Sequence, residues 1–233
     1  MTDIILVSYK DEIPIKKCIE SIEETCSDYR IYIEDNNINN VGFTKAINNA
    51  IKKGSSEYIL LVNSDVIVLP GAQQALIYRF SYSPKIGIVG SIHLDPNQPD
   101  RISHRGTIQA FPFGVHKNGH LSMGHGQIPE KCTWVNFAFV MIKREVIRDV
   151  GYLDEDMFLI FSDSDFCYMA REKGWEVWIE PQSKIFHTLN VSKKPTEWHQ
   201  KDMIAFMKKW DIATDGKGNF FKSRRFEKLD LFP

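Results

Sequence analysis

Five apolar residues in unbroken series, Tyr58-Ile59-Leu60-Leu61-Val62, run straight into the polar tip Asn63-Ser64-Asp65. A strand that is apolar on both faces belongs inside a parallel sheet covered by helices, so the chain around it is expected to be α/β. Ligands of open α/β sheets lie beyond the carboxyl ends of the strands, which places Asp65 where a ligand would be met. Taken alone, Asp65 reads equally well as a strand-ending Asp in an Asx-turn leading to Pro70-Gly71.

The flanking sequence supplies the partners such a strand needs. Asp3 to Tyr9 reads as a first buried strand, and Ile15, Cys18, Ile19 and Ile22 form one apolar helix face entered through Pro14. Arg30 to Asp35 is a second strand ending in acid. After the turn-rich Asn36 to Asn40, Ala46, Ile47, Ala50 and Ile51 line a helix that Gly54 closes. A short helix near Gly71 to Phe80 and a buried strand at Ile86 to Val89 continue the alternation of a doubly wound sheet. Between His93 and Lys131 the periodicity is weak. His93, His104, His116, His120 and His125 fall there without tight metal-ligand spacing, and read as solvated loop histidines rather than a zinc site. Thr133 to Ile142 is expected as a buried strand, with a helix at Val146 to Val150. Ser162 is expected as the N-cap of a helix carrying Asp165 and Phe166, followed by two short strands at Trp175 to Ile179 and Lys184 to His187. Thr196 to Trp210 reads as a terminal amphipathic helix.

Composition adds limits. With 233 residues, 43% of them hydrophobic and 25% charged, the chain can bury one full core. No apolar run could span a bilayer, and the strand pattern starts too early for a signal peptide, so a cytoplasmic protein is expected. Cys18, Cys26, Cys132 and Cys167 lack C-x-x-C spacing and read as buried thiols of a reducing compartment. The formal net charge of −1 gives no reason to expect a nucleic-acid partner. Asp35, Asp65, Asp163 and His187 stand at strand or helix ends. Singly they are a turn residue, an Asx-turn, a helix-dipole partner and a buried His; together they suggest a diphosphate site. Asp65 and His187 would hold a divalent ion, Mn²⁺ in preference to Mg²⁺ because of the nitrogen ligand.

The ordered set Val7-Ser8-Tyr9, Asp35-Asn36, Asn40 to Asn48, Asn63-Ser64-Asp65-Val66, Trp134 to Ala138, Gly151 to Phe158, Ser162 to Cys167, Arg171 to Trp175 and Pro181 to His187 resembles glycosyltransferase family 2. The resemblance covers about residues 3 to 190. It implies an inverting enzyme of GT-A fold, with a Rossmann-like, mostly parallel sheet flanked by helices over residues 1–190. Residues 191–233 would be a C-terminal helix and basic tail packed on or beside it. Carried over by position, it implies that Asp35 binds the nucleobase with Ser8 nearby, that Asn63 and Asp65 form the D-x-D-like motif, and that Asp163 is the general base. It also implies that His187 joins Asp65 on the metal. Trp134, Asn136 and Asp165 are candidates for contact with the acceptor or donor sugar. Asn63 stands where the family's first acid does, as in rhamnosyltransferase-like relatives, and Ser162 replaces the Glu before the base.

The implied donor is a UDP- or dTDP-sugar and the implied acceptor a glycan or lipid-linked hydroxyl. A degenerate module that binds nucleotide or glycan without turnover is the main alternative, prompted by Asn63 and Ser162. A sugar nucleotidyltransferase would need a Gly-rich basic loop after the first strand, and a dinucleotide dehydrogenase a G-x-G-x-x-G; neither is present. The tail from Ser192 holds a charge surplus of +4 against −5 for the remainder. There Lys193, Lys194, Lys201, Lys208, Lys209, Arg224, Arg225 and Lys228 mix with Trp198, Phe206, Trp210, Phe220, Phe221 and Phe226. Two readings follow: aromatics packed on the sheet with solvated lysines, which is preferred, or peripheral contact with an anionic membrane.

Overall fold

The computed structural model describes residues 1–108, 111, 113–188, 197–215, 217 and 219–230. Strand β1 (Thr2–Ser8), helix α1 (Glu12–Thr25), strand β2 (Tyr29–Asp35), helix α2 (Phe43–Lys53) and strand β3 (Tyr58–Asn63) follow in turn, as the apolar spacing predicts. Then come β4 (Val66–Val68), α3 (Ala72–Arg79), β5 (Ile86–Asp95), β6 (Gln98–His104) and four two-residue strands, β7 (Thr107–Ile108), β8 (Val115–His116), β9 (Gly119–His120) and β10 (Glu130–Lys131). The remainder is β11 (Phe139–Lys143), α4 (Arg144–Val150), α5 (Ser162–Glu172), β12 (Glu176–His187), α6 (Glu197–Lys209), β13 (Ala213–Thr214), β14 (Phe220–Phe221) and α7 (Arg224–Asp230).

The main sheet has the order β10-β12-β5-β11-β3-β1-β2, with β4 added to β12 and β6 to β5. β1 pairs in parallel with both β2 and β3, and β12 with β5, while β11 runs antiparallel to β3 and β5. β2, β1, β3, β5 and β12 therefore all point one way. Since β2 leaves β1 on one side and β3 on the other, a crevice opens past the carboxyl ends of β1 and β3. Alternate residues of β3 feed two cores: Ile59 and Leu61 pack beneath α2 and α4, Leu60 and Val62 against α1 and α3. Phe206, Trp210 and Phe226 belong to the first of these cores, so the C-terminal segment helps to build it.

Four expectations change. Trp134 to Ala138 is a loop and not a strand, because the Asn136 side chain accepts the N–H of Ala138 and the Thr107 hydroxyl takes both backbone groups of Trp134. Residues 176–187 make one strand instead of two, carried across Pro181 by a register shift between Glu180 and Lys184. Phe161 and not Ser162 is the N-cap of α5, with φ 66°. The expected capping box fails because Asp165 is turned to α6. Finally, His93 and His104 are buried partners on β5 and β6, not solvated loop residues.

All four cysteines are free thiols, and Cys18, Cys132 and Cys167 are buried as expected. Among the described residues no helix is long and apolar enough to cross a membrane. Phe206, Trp210 and Phe226 are buried and Trp198 stacks on Phe158 at 4.0 Å, which removes most of the aromatics from an interfacial role. Lys193 and Lys194 lie outside the described residues.

Candidate active site

The sheet gathers the candidate residues at its carboxyl edge. Ser8 and Asp35 are paired neighbours at the ends of β1 and β2, Asn63 ends β3, and His187 ends β12. α5 leads through a tight turn into the start of β12, so its first residues, Ser162 and Asp163, lie at the same edge. β11 runs the opposite way, which brings Trp134 to Ala138 there too.

Asp65 and His187 meet because β4 pairs with the last residues of β12, His187 opposite Val66. Their Oδ1 and Nε2 atoms are 3.2 Å apart. Thr188, which the sequence did not single out, donates its N–H and its hydroxyl to the Asp65 carbonyl at 3.2 and 3.0 Å. Neighbouring ligands of one octahedral ion with bonds near 2.1 Å stand about 3 Å apart, so this pair fits two adjacent positions on a divalent ion. No third His, Cys, Asp or Glu joins this pair as a possible ligand among the described residues. The Nδ1 of His187 is buried without a hydrogen-bond partner among the described residues, and its ring stands edge-on to His93 at 5.3 Å.

Asn63 holds its place through its backbone, N–H to the Ala138 carbonyl at 2.8 Å. Its side-chain Oδ1 is buried with no partner among the described residues. Such an acceptor is costly to leave unmet, and a bound ligand's hydroxyl or N–H would satisfy it. At the neighbouring strand ends, Asn37 bridges the other two candidates: its N–H and Nδ2 each donate to Asp35 Oδ1 at 2.8 Å, and Nδ2 reaches Ser8 Oγ at 3.3 Å. Ser8 in turn donates to Asp11 at 2.8 Å. Asp35 itself stays exposed.

Asp163 sits in the first turn of α5, its Oδ1 accepting the Ser164 N–H at 2.7 Å. Burial pushes its carboxyl up to about 6, outweighing the Ser164 N–H and its own N–H, which lower it. Asp165 is placed differently. It is fully buried, and its two oxygens accept Lys209 Nζ at 2.8 Å and Trp210 Nε1 at 2.9 Å, which makes it an anchor for the C-terminal segment.

Trp134 is buried, its indole N–H unpartnered among the described residues and its ring edge-on to His116 at 4.9 Å. The N–H of Asn136 donates to Nε2 of His104 at 3.2 Å. His104 therefore carries its proton on Nδ1, which faces Nδ1 of His116 at 2.8 Å. Burial holds His93 and His104 well below the usual histidine range, so both are neutral at pH 7. An open cleft of about 260 Å³ between Tyr78, Tyr82, Gln127 and Gln182 shares no residue with this edge.

The chain is similar to known proteins in sequence and in fold. Over 146 residues the chain is 27% identical to the poly-beta-1,6-N-acetyl-D-glucosamine synthase of Staphylococcus aureus (strain COL), a stretch that is 61% of this chain and 33% of that protein. The corresponding synthase of Staphylococcus epidermidis is 26% identical over 148 residues, again 33% of its length. The chain thus spans about a third of the curated relatives it matches. Solved structures that share its fold include GalNAc-T7 with UDP, GalNAc and Mn²⁺ (TM-score 0.70, 11% identity, 90% of this chain and 48% of that one), and the mannosyltransferase PcManGT of Pyrobaculum calidifontis with GDP-Man and Mn²⁺ (TM-score 0.63, 10% identity, 98% and 67%). The family described as "Glycosyltransferase like family 2" matches residues 1–203. With a mostly parallel sheet of GT-A type beneath the ordered motifs, this chain belongs to glycosyltransferase family 2.

Proposed function

We propose that this chain is an inverting glycosyltransferase that moves a sugar from a UDP- or dTDP-sugar to a hydroxyl of a glycan or glycolipid. The meeting of Asp65 with His187 at 3.2 Å carries the reading, because it offers a hard oxygen and an imidazole nitrogen side by side at the end of the sheet where a diphosphate would lie. A divalent ion there, Mn²⁺ or Mg²⁺, would offset the charge gathering on the departing diphosphate. The two solved relatives named above hold Mn²⁺ with a nucleotide or nucleotide sugar, which supports the assignment. Ser8, Asp35 and Asn37 receive the nucleoside, and the unmet Oδ1 of Asn63 accepts a hydrogen bond from the donor.

Asp163 takes the acceptor proton. The acceptor oxygen attacks the anomeric carbon as the bond to the diphosphate breaks, and its proton passes to the carboxylate. A base whose value lies near 6 is ionised at pH 7 and still basic enough to work, and such groups contribute about 10² to 10⁴ in rate. The Trp134 to Asn136 loop lines the sugar side, held by His104. The staphylococcal relatives suggest an N-acetylglucosamine donor and a growing polysaccharide as first choices for assay.

The test is calorimetric titration with UDP and dTDP, with and without Mn²⁺. Wild type should gain at least tenfold in affinity from the ion, and Asp65→Ala and His187→Ala should each lose that gain while keeping the ion-independent part. Full Mn²⁺-dependent binding by either variant would sink the assignment.

A further inference from the structure

Asp202 on α6 is a carboxylate that is only 1% exposed and lies 39 residues beyond the candidate base. Its oxygens accept three consecutive backbone N–H groups: Phe158 at 2.9 Å, Leu159 at 2.7 Å and Ile160 at 2.8 Å. A carboxylate serving three amides fixes the path of that segment, since removing it would leave three consecutive backbone N–H groups without their acceptor. The next residue, Phe161, is held at φ 66°, a conformation that is strained for a bulky side chain and persists only when its surroundings impose it. Asp163 follows two residues later.

The same helix also grips the far side of Asp163. Lys209, the last residue of α6 and about two turns after Asp202, and Trp210, just past the helix, donate to the two oxygens of Asp165. Asp163 is thus bracketed: residues 158–160 are tied by Asp202 before it, and Asp165 is tied by Lys209 and Trp210 after it. The clamped segment reaches sideways as well. The Phe158 carbonyl accepts the N–H groups of Phe43 and Thr44 at 2.8 and 3.4 Å, the first of α2, and its ring stacks on Trp198 of α6. A Cβ on Gly42 would stand 2.6 Å from that ring.

We propose that Asp202 is a positioning residue for transfer, which sets the place of Asp163 through the 158–161 segment and makes α6 a working part of the active site. The inference rests on Asp163 being the base, and the Asp163→Asn variant tests that premise by itself. Asp202→Asn keeps the size of the side chain but replaces one accepting oxygen with an NH₂ group that cannot serve an N–H donor. Hydrogen exchange of the full chain should then speed up at least tenfold at the amides of residues 158–160, with β1 and β3 unchanged. Nucleoside diphosphate release from the best of UDP-N-acetylglucosamine, UDP-glucose and dTDP-rhamnose should show kcat lowered 10- to 100-fold and donor KM within about threefold. The low-pH limb of the rate should move below 6 as Asp163 gains water. Asp202→Glu, which restores the carboxylate, should recover part of the lost kcat, and it takes over the comparison if Asp202→Asn fails to fold. Ile204→Ala, at an exposed position of α6, is the control for a change in this helix as such, and should leave the limb in place. Unchanged exchange at 158–160, or faster exchange with wild-type kcat and an unmoved limb, would overturn the proposal.

Discussion

The two ends of the sheet are built to opposite standards. At the amino end, Asp3 is fully buried and both its oxygens are engaged: Oδ1 accepts the Ser56 hydroxyl at 2.7 Å, and Oδ2 the Ser56 N–H at 2.8 Å and Arg144 Nη2 at 2.6 Å. Arg144 also donates to the carbonyls of Ser56 and Ile51, so one ion pair ties β1, α2, α4 and the turn before β3 together. At the carboxyl end, Asn63 Oδ1, His93 Nε2 and His187 Nδ1 are buried without partners among the described residues, and Asp163 is kept in a site that disfavours its charge. Phe161 and Lys10 hold positive φ there, as Asp28 does at the amino end. Around Asp3 the amino end closes its polar network, with Thr2 Oγ1 left unpartnered among the described residues; the carboxyl end leaves several groups open for something that arrives later. Stability spent in this way is the usual mark of a working site.

The largest effect that would sharpen this contrast lies at the closed end. Asp3→Ala leaves the Arg144 guanidinium buried without its carboxylate, and should cost about 3–5 kcal/mol in urea unfolding while the folded fraction keeps its affinity for UDP. A loss below about 1 kcal/mol would show that this pair is not what fastens the amino end.

Next in size is the pH response of the open end. With the Asp163 carboxyl pushed up to about 6, kcat/KM for transfer should fall roughly tenfold per unit below that value and level off above it. A limb near 4 would mean that burial does not act on the base.

The smallest effect concerns Asn63. Its Oδ1 has no partner among the described residues, so Asn63→Ala should change the stability of the free protein by less than about 1 kcal/mol while weakening UDP binding about fivefold, the worth of one hydrogen bond. Equal losses in both would place Asn63 in the scaffold instead.

Much of the open end was legible because it follows strand ends. The run from Tyr58 to Val62 and its polar tip located Asp65, and the second acid-ended strand located Asp35, since burial pattern alone marks where a strand stops. The Asp65 to His187 contact joins residues far apart in sequence, and it was reached from their places at strand ends together with family resemblance, not from spacing. What stayed hidden depends on pairing between distant segments. His93 and His104 looked solvated because their strands lie in a polar stretch, and only the β5 to β6 register buries them. Trp134 to Ala138 looked like a strand because five residues with one polar break fit a buried loop as well. Asp202 gave no signal at all, because a carboxylate that binds backbone amides needs no particular partner residue.

The contrast is tested most directly by one substitution read in two ways. A carboxyl whose folded value is raised from 3.8 to about 6 costs the fold nothing below pH 4; the cost grows between pH 4 and 6 and stays at its full size above, where the charged form is kept in its half-buried place. Asp163→Asn removes that charge and keeps an oxygen for the Ser164 N–H. At pH 7.5 it should therefore raise unfolding stability by about 1–2 kcal/mol, after allowance for partial exposure and the lost helix-dipole attraction. Transfer should fall by about 10² or more with UDP binding within a few-fold. A variant that unfolds more easily, or that transfers sugar at the wild-type rate, would contradict the account.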